Sequence, residues 1–249
     1  ISGYRGKTHT VSNTAFRGFG GPKGVLLAEA VIEEIACTVC KDALDVRKLN
    51  CYQEGKTKTP YGQDVEENVL LTLIEELEES SDYRARREAI REFNKQSPFL
   101  KKGLALTPVK FGISFTSKHL NQGGALVHVY TDGSVHISHG GTEMGQGLYT
   151  KVAQIVAKTF GIDYQRVNVS STRTDKVPNA SPTAASAGTD LNGMAALDAV
   201  VTIKGRLQEF AMEHFSIAAD AFAIADDQVV LGSETMSFPE FIKLAYMNR

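Results

Sequence analysis

Cysteine is scarce in this chain, with Cys37, Cys40 and Cys51 the three present among 249 residues. So low and odd a count argues against a secreted disulfide framework and for a reducing compartment, the cytoplasm. No apolar run approaches the roughly 20 residues that a membrane span needs, so no membrane partner is expected. Charge of one sign is missing too. The formal net charge is −2, which gives no general attraction to nucleic acid or to a membrane surface. Several nucleotide and hydrolase signatures are absent. There is no G-x-x-x-x-G-K-[ST]. Gly18-x-Gly20 is followed by Lys23 where a dinucleotide fingerprint needs a third glycine, and Gly145-Gln146-Gly147 lacks it as well. No G-x-S-x-G supports a serine nucleophile. The first residues, Ile1 to Arg5, show neither an initiator Met nor a signal peptide. A cut start is therefore expected, and residues 241–247 read as a helix still running at the end.

What is present is ordinary for a globular protein: 42% hydrophobic and 22% charged residues in 27.0 kDa. That is enough for one large domain or two small ones. Pro22 stands where a first helical turn accepts it, and Val25, Ala28, Ile32, Ile35 and Val39 then recur at helical spacing. Cys37 and Cys40 form a C-x-x-C inside that pattern. Without a second ligand pair they read as core cysteines rather than a zinc or redox site. The polar stretch 50–62 is the best candidate boundary. A second helix carries Val69, Leu73 and Leu77, and a third runs over 82–95. In the third, Glu88 and Glu92 interleave the arginines, so it reads as a solvated face and not a nucleic-acid patch.

After Val109 the period becomes alternating. Strands are expected over 109–115, 126–130 and 134–138, the last two as a hairpin closed by Asp132-Gly133, and another over 167–170. Helices follow each of two small-residue loops, one to Phe160 and one to about Phe215. The predicted class is α+β, or mixed α/β. Three glycine- or alanine-rich loops, 12–24, 140–147 and 181–188, each lead into a helix. Such loops offer unpaired N–H groups and a positive helix end to an anionic ligand such as a phosphate or a pterin. Of the histidines, a two-residue turn would place only His128 and His139 on one face, too few ligands for zinc, so they are read as ordinary sheet residues.

The three loops carry a resemblance. Thr14-Ala15-Phe16-Arg17-Gly18-Phe19-Gly20-Gly21-Pro22, Gly140-Gly141-Thr142-Glu143-Met144-Gly145-Gln146-Gly147 and Ser181-Pro182-Thr183-Ala184-Ala185-Ser186 are similar, in order and spacing, to loops of the xanthine dehydrogenase and aldehyde oxidase family of molybdenum hydroxylases. The likeness covers essentially the whole chain. Lys110 to Thr116 with Leu120-Asn121-Gln122 resembles the purine-acting branch.

The resemblance implies an internal fragment of the molybdopterin-binding region. Residues 1–50 would end a first subdomain, 51–104 would be a helical connector, and 105–249 would begin a second subdomain. It implies hydroxylation of a purine, hypoxanthine or xanthine to urate, with water as oxygen source. Electrons would leave through [2Fe–2S] clusters and FAD, on other domains or a partner subunit of a homo- or hetero-oligomer, to NAD. Phe19 would stack on the purine, Phe115 would meet its edge, and Thr116 would hydrogen-bond it. Arg17, Gly18, Met144, Gly145, Gln146, Thr183, Ala184 and Ser186 would line the cofactor, with Arg17 and Ala185 nearest the molybdenum. The family's general-base glutamate lies in a Gly-Glu-Pro segment that this chain lacks. The span therefore holds no catalytic base, the glutamate is expected downstream, and the fragment alone is expected to be inactive. Lys23 departs from the glutamine common in relatives. Two other readings stand beside this one: an aldehyde oxidase-like enzyme, and a scaffold that keeps the fold without the cofactor.

Overall fold

The structure is a computed structural model that describes residues 4, 6–11, 17–53, 55 and 57–248. The chain divides into two compact units, residues 1–111 and 112–249. The stretch expected as a connector, 51–104, belongs to the first unit together with the residues before it.

In the first unit, α1 (Gly21–Thr38) starts from Gly20 at φ 94° with a proline in its first turn. Helix α2 (Ala43–Asn50) is N-capped by Asp42, whose carboxylate accepts from the Leu44 N–H at 2.9 Å. Helices α3 (Leu70–Ser80) and α4 (Tyr83–Gln96) follow. Leu44, Ile74, Tyr83 and Leu106 form one small core, and Ala36, Ala43 and Val46 another. Asp42 also accepts from Tyr83 Oη at 3.0 Å and Arg87 Nε at 3.1 Å, so one carboxylate ties α2 to α4. Arg47 is 4% exposed and is held between Glu29 (2.6 Å) and Glu33 (2.7 Å) of α1.

One expectation changes here. Cys37 and Cys40 are exposed, not core, because α1 buries the face that carries Ala36. On α4, Arg84, Arg86 and Arg91 are exposed, as a solvated face requires, while Arg87 is half-buried and turns to Asp42.

In the second unit, β1 (Ala125–Val129) and β2 (Val135–His139) pair antiparallel, and β3 (Val167–Val169) joins β2 in parallel. A parallel neighbour needs a crossover, and α5 (Leu148–Phe160) supplies it. The long α6 (Gly188–Phe215) packs on α5. A second small sheet, β4 (Phe222–Ala225), β5 (Gln228–Leu231) and β6 (Glu234–Ser237), precedes α7 (Phe238–Met247). Val135, Ile137, Leu148, Val152, Val156, Phe160, Phe238 and Phe241 are all fully buried in one core. Each such side chain contributes about 1.5–3 kcal/mol relative to an exposed one.

The hairpin differs from expectation by one residue. Tyr130 N–H donates to Ser134 O (2.9 Å) and Gly133 N–H to Tyr130 O (2.9 Å), with Gly133 at φ 78°. The loop is thus three residues, 131–133, ending in a left-handed glycine. The pairs become His128 with His136 and Ala125 with His139. A slip of one flips every side chain, so His128 shares its face with His136, and His139 turns into the core. The strand expected over 109–115 does not form; those residues run without regular secondary structure. Helix α2 and the second sheet lay outside the sequence reading.

Candidate functional site

The loop 140–147 fills the end of the crossover between β2 and α5. Its first peptides are seated deeply. A Cβ on Gly140 would come 2.2 Å from Ala180 Cβ, and one on Gly141 would come 2.5 Å from Leu148 Cδ2 and 2.8 Å from Asn192 Nδ2. Only glycine fits so close an approach. Gly141 N–H donates to His139 Nδ1 (3.1 Å), and Gly141 O accepts from the Thr172 hydroxyl.

Farther along, Glu143 turns its carboxylate onto the start of α5. It accepts from Gly145 N–H (2.8 Å), Gly147 N–H (3.0 Å) and Tyr149 N–H (3.1 Å). The Tyr149 N–H, with those of Gly147, Gly145 and Leu148 behind it, holds the Glu143 carboxyl below the usual carboxylate range, against the opposing effect of burial. This corrects the expectation that the α5 end offers unpaired N–H groups: the loop's own glutamate has taken them. Gln146 braces the same loop. Its Oε1 accepts from Met144 N–H (2.6 Å) and its Nε2 donates to Thr142 O (2.8 Å).

The loop 181–188 stands beside it. Thr142 N–H donates to Thr183 Oγ1 at 2.8 Å, which ties the two loops together. Ala185 and Ser186 both lie in the left-handed region, at φ 55° and 57°. Ala185 O accepts from Ser114 N–H at 2.8 Å, and Ser114 is itself left-handed at φ 71°. Phe115 is then fixed from both sides of its peptide by Asn121, which accepts from its N–H (2.8 Å) and donates to its O (2.7 Å). Gln122 and Ser181 complete the link, through Gln122 N–H to Ser181 Oγ (2.8 Å) and Ser181 N–H to Gln122 O (3.1 Å). Three separate stretches of the second unit, 114–122, 140–147 and 181–188, are therefore one hydrogen-bonded group. Non-glycine residues held left-handed cost free energy, and three of them, Ser114, Ala185 and Ser186, fall in this group.

The sequence-predicted residues of this unit divide by exposure. Thr116, Met144, Gly145, Ala184 and Ser186 are exposed, while Phe115, Gln146, Thr183 and Ala185 are half-buried. In the first unit, Arg17, Gly18 and Phe19 form the turn before α1. Phe19 is 79% exposed at φ 40°, and the Pro22 ring lies where a Gly18 side chain would be. Thr14, Ala15 and Phe16 of the quoted motif lie outside the described residues. Sequence reasoning missed His139, Tyr149, Thr172 and Asn192 as supports of the loops. An acidic residue just ahead of a helix was a readable cue for Glu143; Thr172 had none. Among the described residues, no group of three or more metal-ligating side chains occurs.

Comparison with known proteins decides the family. The molybdopterin cofactor-binding domain matches this chain over residues 76–249, and a second domain of the same description matches residues 1–51. The chain belongs to the molybdopterin cofactor-binding domain family. It is 52% identical over 208 residues to "Xanthine dehydrogenase 1" of Arabidopsis thaliana, 50% over 204 to "Xanthine dehydrogenase/oxidase" of Mus musculus and 50% over 202 to "Xanthine dehydrogenase" of Dictyostelium discoideum. These alignments cover 83%, 82% and 81% of this chain but 15% of each relative, so the chain spans about 15% of their length.

Among solved structures it resembles quinoline 2-oxidoreductase of Pseudomonas putida 86, with TM-score 0.79, 23% identity, and 94% of this chain and 31% of that one covered. It also resembles the Cu,Mo-CO dehydrogenase, with TM-score 0.74, 21% identity and 90% and 30% covered. Those two likenesses establish the mixed helix-and-sheet fold.

The loops of the second unit fit a pterin-type group. A Cβ on Gly112 or Gly145 would meet nothing within 4 Å, so open space adjoins the joined loops, while Gly140 and Gly141 behind them have none to spare. Exposed Ala184 and Ser186 contribute small side chains to the joined loops. Because Gln146 and Glu143 hold the Met144 and Gly145 N–H groups, the carbonyls of 144–146 are what the backbone there offers to a pterin's N–H edge.

Proposed function

We propose that this chain supplies part of the cofactor and substrate pocket of a xanthine dehydrogenase. That enzyme would hydroxylate a purine, hypoxanthine or xanthine to urate, with water as oxygen source and with electrons passed through iron–sulfur clusters and FAD to NAD. The observation that carries this reading is the half-identity to xanthine dehydrogenases across more than four-fifths of the chain, over loops that the fold ties into one group. Molybdenum on the pterin would supply the activated oxygen and accept the electrons.

This chain's own residues hold and orient. Met144, Gly145, Gln146, Thr183, Ala184 and Ser186 would line the pterin. Small Ala185 would leave room beside the molybdenum, where Arg17 would also lie. The peptide of Phe115 is locked by Asn121, so its ring can offer a fixed edge to a planar heterocycle. Thr116, exposed beside it, has a hydroxyl free to meet a ring oxygen or nitrogen. The role of Phe19 and Gly18 rests on the resemblance alone. The proton-accepting glutamate, the iron–sulfur clusters and the flavin would come from outside this span, so the chain alone would be inactive, and it would work in the cytoplasm. Residues 1–50 and 105–249 would belong to two cofactor-binding subdomains joined by 51–104.

The test is molybdenum per polypeptide in the full-length gene product, from a host that loads a control enzyme, followed by turnover of xanthine and of an aromatic aldehyde. One molybdenum with xanthine turnover is the expected result. Aldehyde turnover without xanthine turnover would move the enzyme to the aldehyde oxidase branch, and no molybdenum would leave a scaffold.

A further inference from the structure

His139 ends β2 at an inward position, with 1% of its surface exposed. Its Nδ1 accepts the Gly141 N–H at 3.1 Å, so that nitrogen carries a lone pair and no proton. Its ring meets Tyr149 edge-on, with centroids 5.1 Å apart and planes at 82°. Tyr149 Oη in turn accepts the Thr172 N–H at 3.1 Å and lies 3.2 Å from Thr172 Oγ1. Thr172 closes the circle by donating its hydroxyl to Gly141 O. The peptide groups on either side of Gly141 are thus gripped, the N–H by His139 and the C=O by Thr172, with Tyr149 joining the two holders. Beneath the same glycine pair lies Asn192, 6% exposed, with Nδ2 donating to Gly188 O at 2.9 Å. The stretch 142–146 continues from Gly141. Thr142 N–H also donates to Thr183 Oγ1 at 2.8 Å, and the other bonds of the stretch, from Glu143 and Gln146, are made within the loop and the start of α5.

We propose that His139, as the neutral ring protonated on Nε2, is a positioning residue that sets the 140–147 loop through Gly141. This rests on the reading above that the loop contacts the cofactor. The ring's setting keeps it neutral: burial lowers its proton affinity below the ordinary imidazole value, and the Glu143 carboxylate only partly offsets that. A proton on Nδ1 would turn the acceptor into a donor facing the Gly141 N–H. An asparagine at 139 places its Oδ1 where Nδ1 stands and keeps the acceptor; a leucine fills similar space and removes it.

The test is amide hydrogen exchange of the intact protein, with pterin content measured in parallel as the fluorescence of the released, oxidised pterin. His139→Leu is expected to speed exchange within 140–147 about tenfold, the loss of roughly one hydrogen bond, with β3 and α6 little changed. His139→Asn is expected to return the loop to within about twofold of wild type. Pterin content should fall with the leucine and recover with the asparagine. An unchanged loop in His139→Leu overturns the proposal. A loosened loop in a protein whose wild type holds no pterin leaves the positioning role standing and removes the cofactor reading instead. If His139→Leu does not fold, the imidazole nitrogens of the wild type decide by long-range proton–nitrogen spectra. A proton on Nε2 supports the proposal, and a proton on Nδ1 overturns it.

Discussion

Gly123→Ala carries the sharpest consequence for the fold around the site. Gly123 follows Gln122, the residue paired with Ser181, and an added Cβ would lie 2.6 Å from Leu191 O and 2.7 Å from Leu191 C, in the first turns of α6. An ordinary carbon–oxygen contact is about 3.3 Å, so the chain or the helix must move by about 0.7 Å. The obstacle is helix backbone, which cannot rotate aside as a side chain can. Overpacking of this kind costs about 1–3 kcal/mol. A shift of that size also stretches the two Gln122–Ser181 hydrogen bonds, each of which contributes about 1 kcal/mol. The expected loss is about 2–4 kcal/mol.

The assay is urea unfolding followed by far-ultraviolet circular dichroism, since the chain has no tryptophan to report by fluorescence. Gly205→Ala is the internal control. That glycine sits within α6 and its Cβ would meet nothing within 4 Å, so the same substitution should stabilise by about 0.5–1 kcal/mol. Opposite signs at the two glycines are the prediction. If Gly123→Ala unfolds within about 0.5 kcal/mol of wild type, the close approach to α6 is not a constraint and the argument fails.

Three further outcomes follow from the same kind of reading. Burial pushes the Asp42 carboxyl up, but the Leu44 N–H, Tyr83 hydroxyl and Arg87 guanidinium outweigh it and leave the pKa below the ordinary value. A depressed folded pKa means that its stabilisation is whole above the unfolded value of about 3.9 and is lost as pH falls through the folded value. Acid unfolding of wild type should therefore show a carboxylate-linked loss of stability below about pH 4 that is smaller in Asp42→Asn, where Glu143 and other depressed carboxyls still contribute. Gly161→Ala should cost about 2–5 kcal/mol in the same urea assay, because the residue is at φ 87° and its Cβ would lie 2.1 Å from Ile224 O. Arg47→Ala should destabilise by about 1–3 kcal/mol, chiefly by vacating a buried position, since Glu29 and Glu33 are 23% and 53% exposed and can turn to water, whereas Arg47→Met should recover much of that loss.

The sequence made the long elements legible where one period held over several turns, as in α3, α4, α5 and α6. It also made the three loops legible, because small residues in runs ahead of a helix have few other uses. It failed where a single turn residue decides. Gly133 in the left-handed region makes a three-residue loop, and a period-2 pattern cannot distinguish that from a two-residue one until the register is seen. The stretch 109–115 alternates as a strand does, but Ser114 and Phe115 give their N–H groups to Ala185 and to Asn121, which leaves no ladder to join. Thr172 and Asn192 support the site from 31 and 51 residues beyond Gly141, and no local pattern announces a contact of that range.

The carboxylate at the start of α5 changes what the loop can recognise. Glu143 is a competitor tethered a few bonds from the amides it occupies, so its local concentration far exceeds that of any dissolved anion. An incoming phosphate would have to evict it and would meet its charge on approach. Selection at this loop therefore falls to shape and to neutral hydrogen-bonding edges, and a ligand gains little there from negative charge. The loop's geometry, in turn, persists in the absence of any ligand, because the anion that stabilises it is part of the chain.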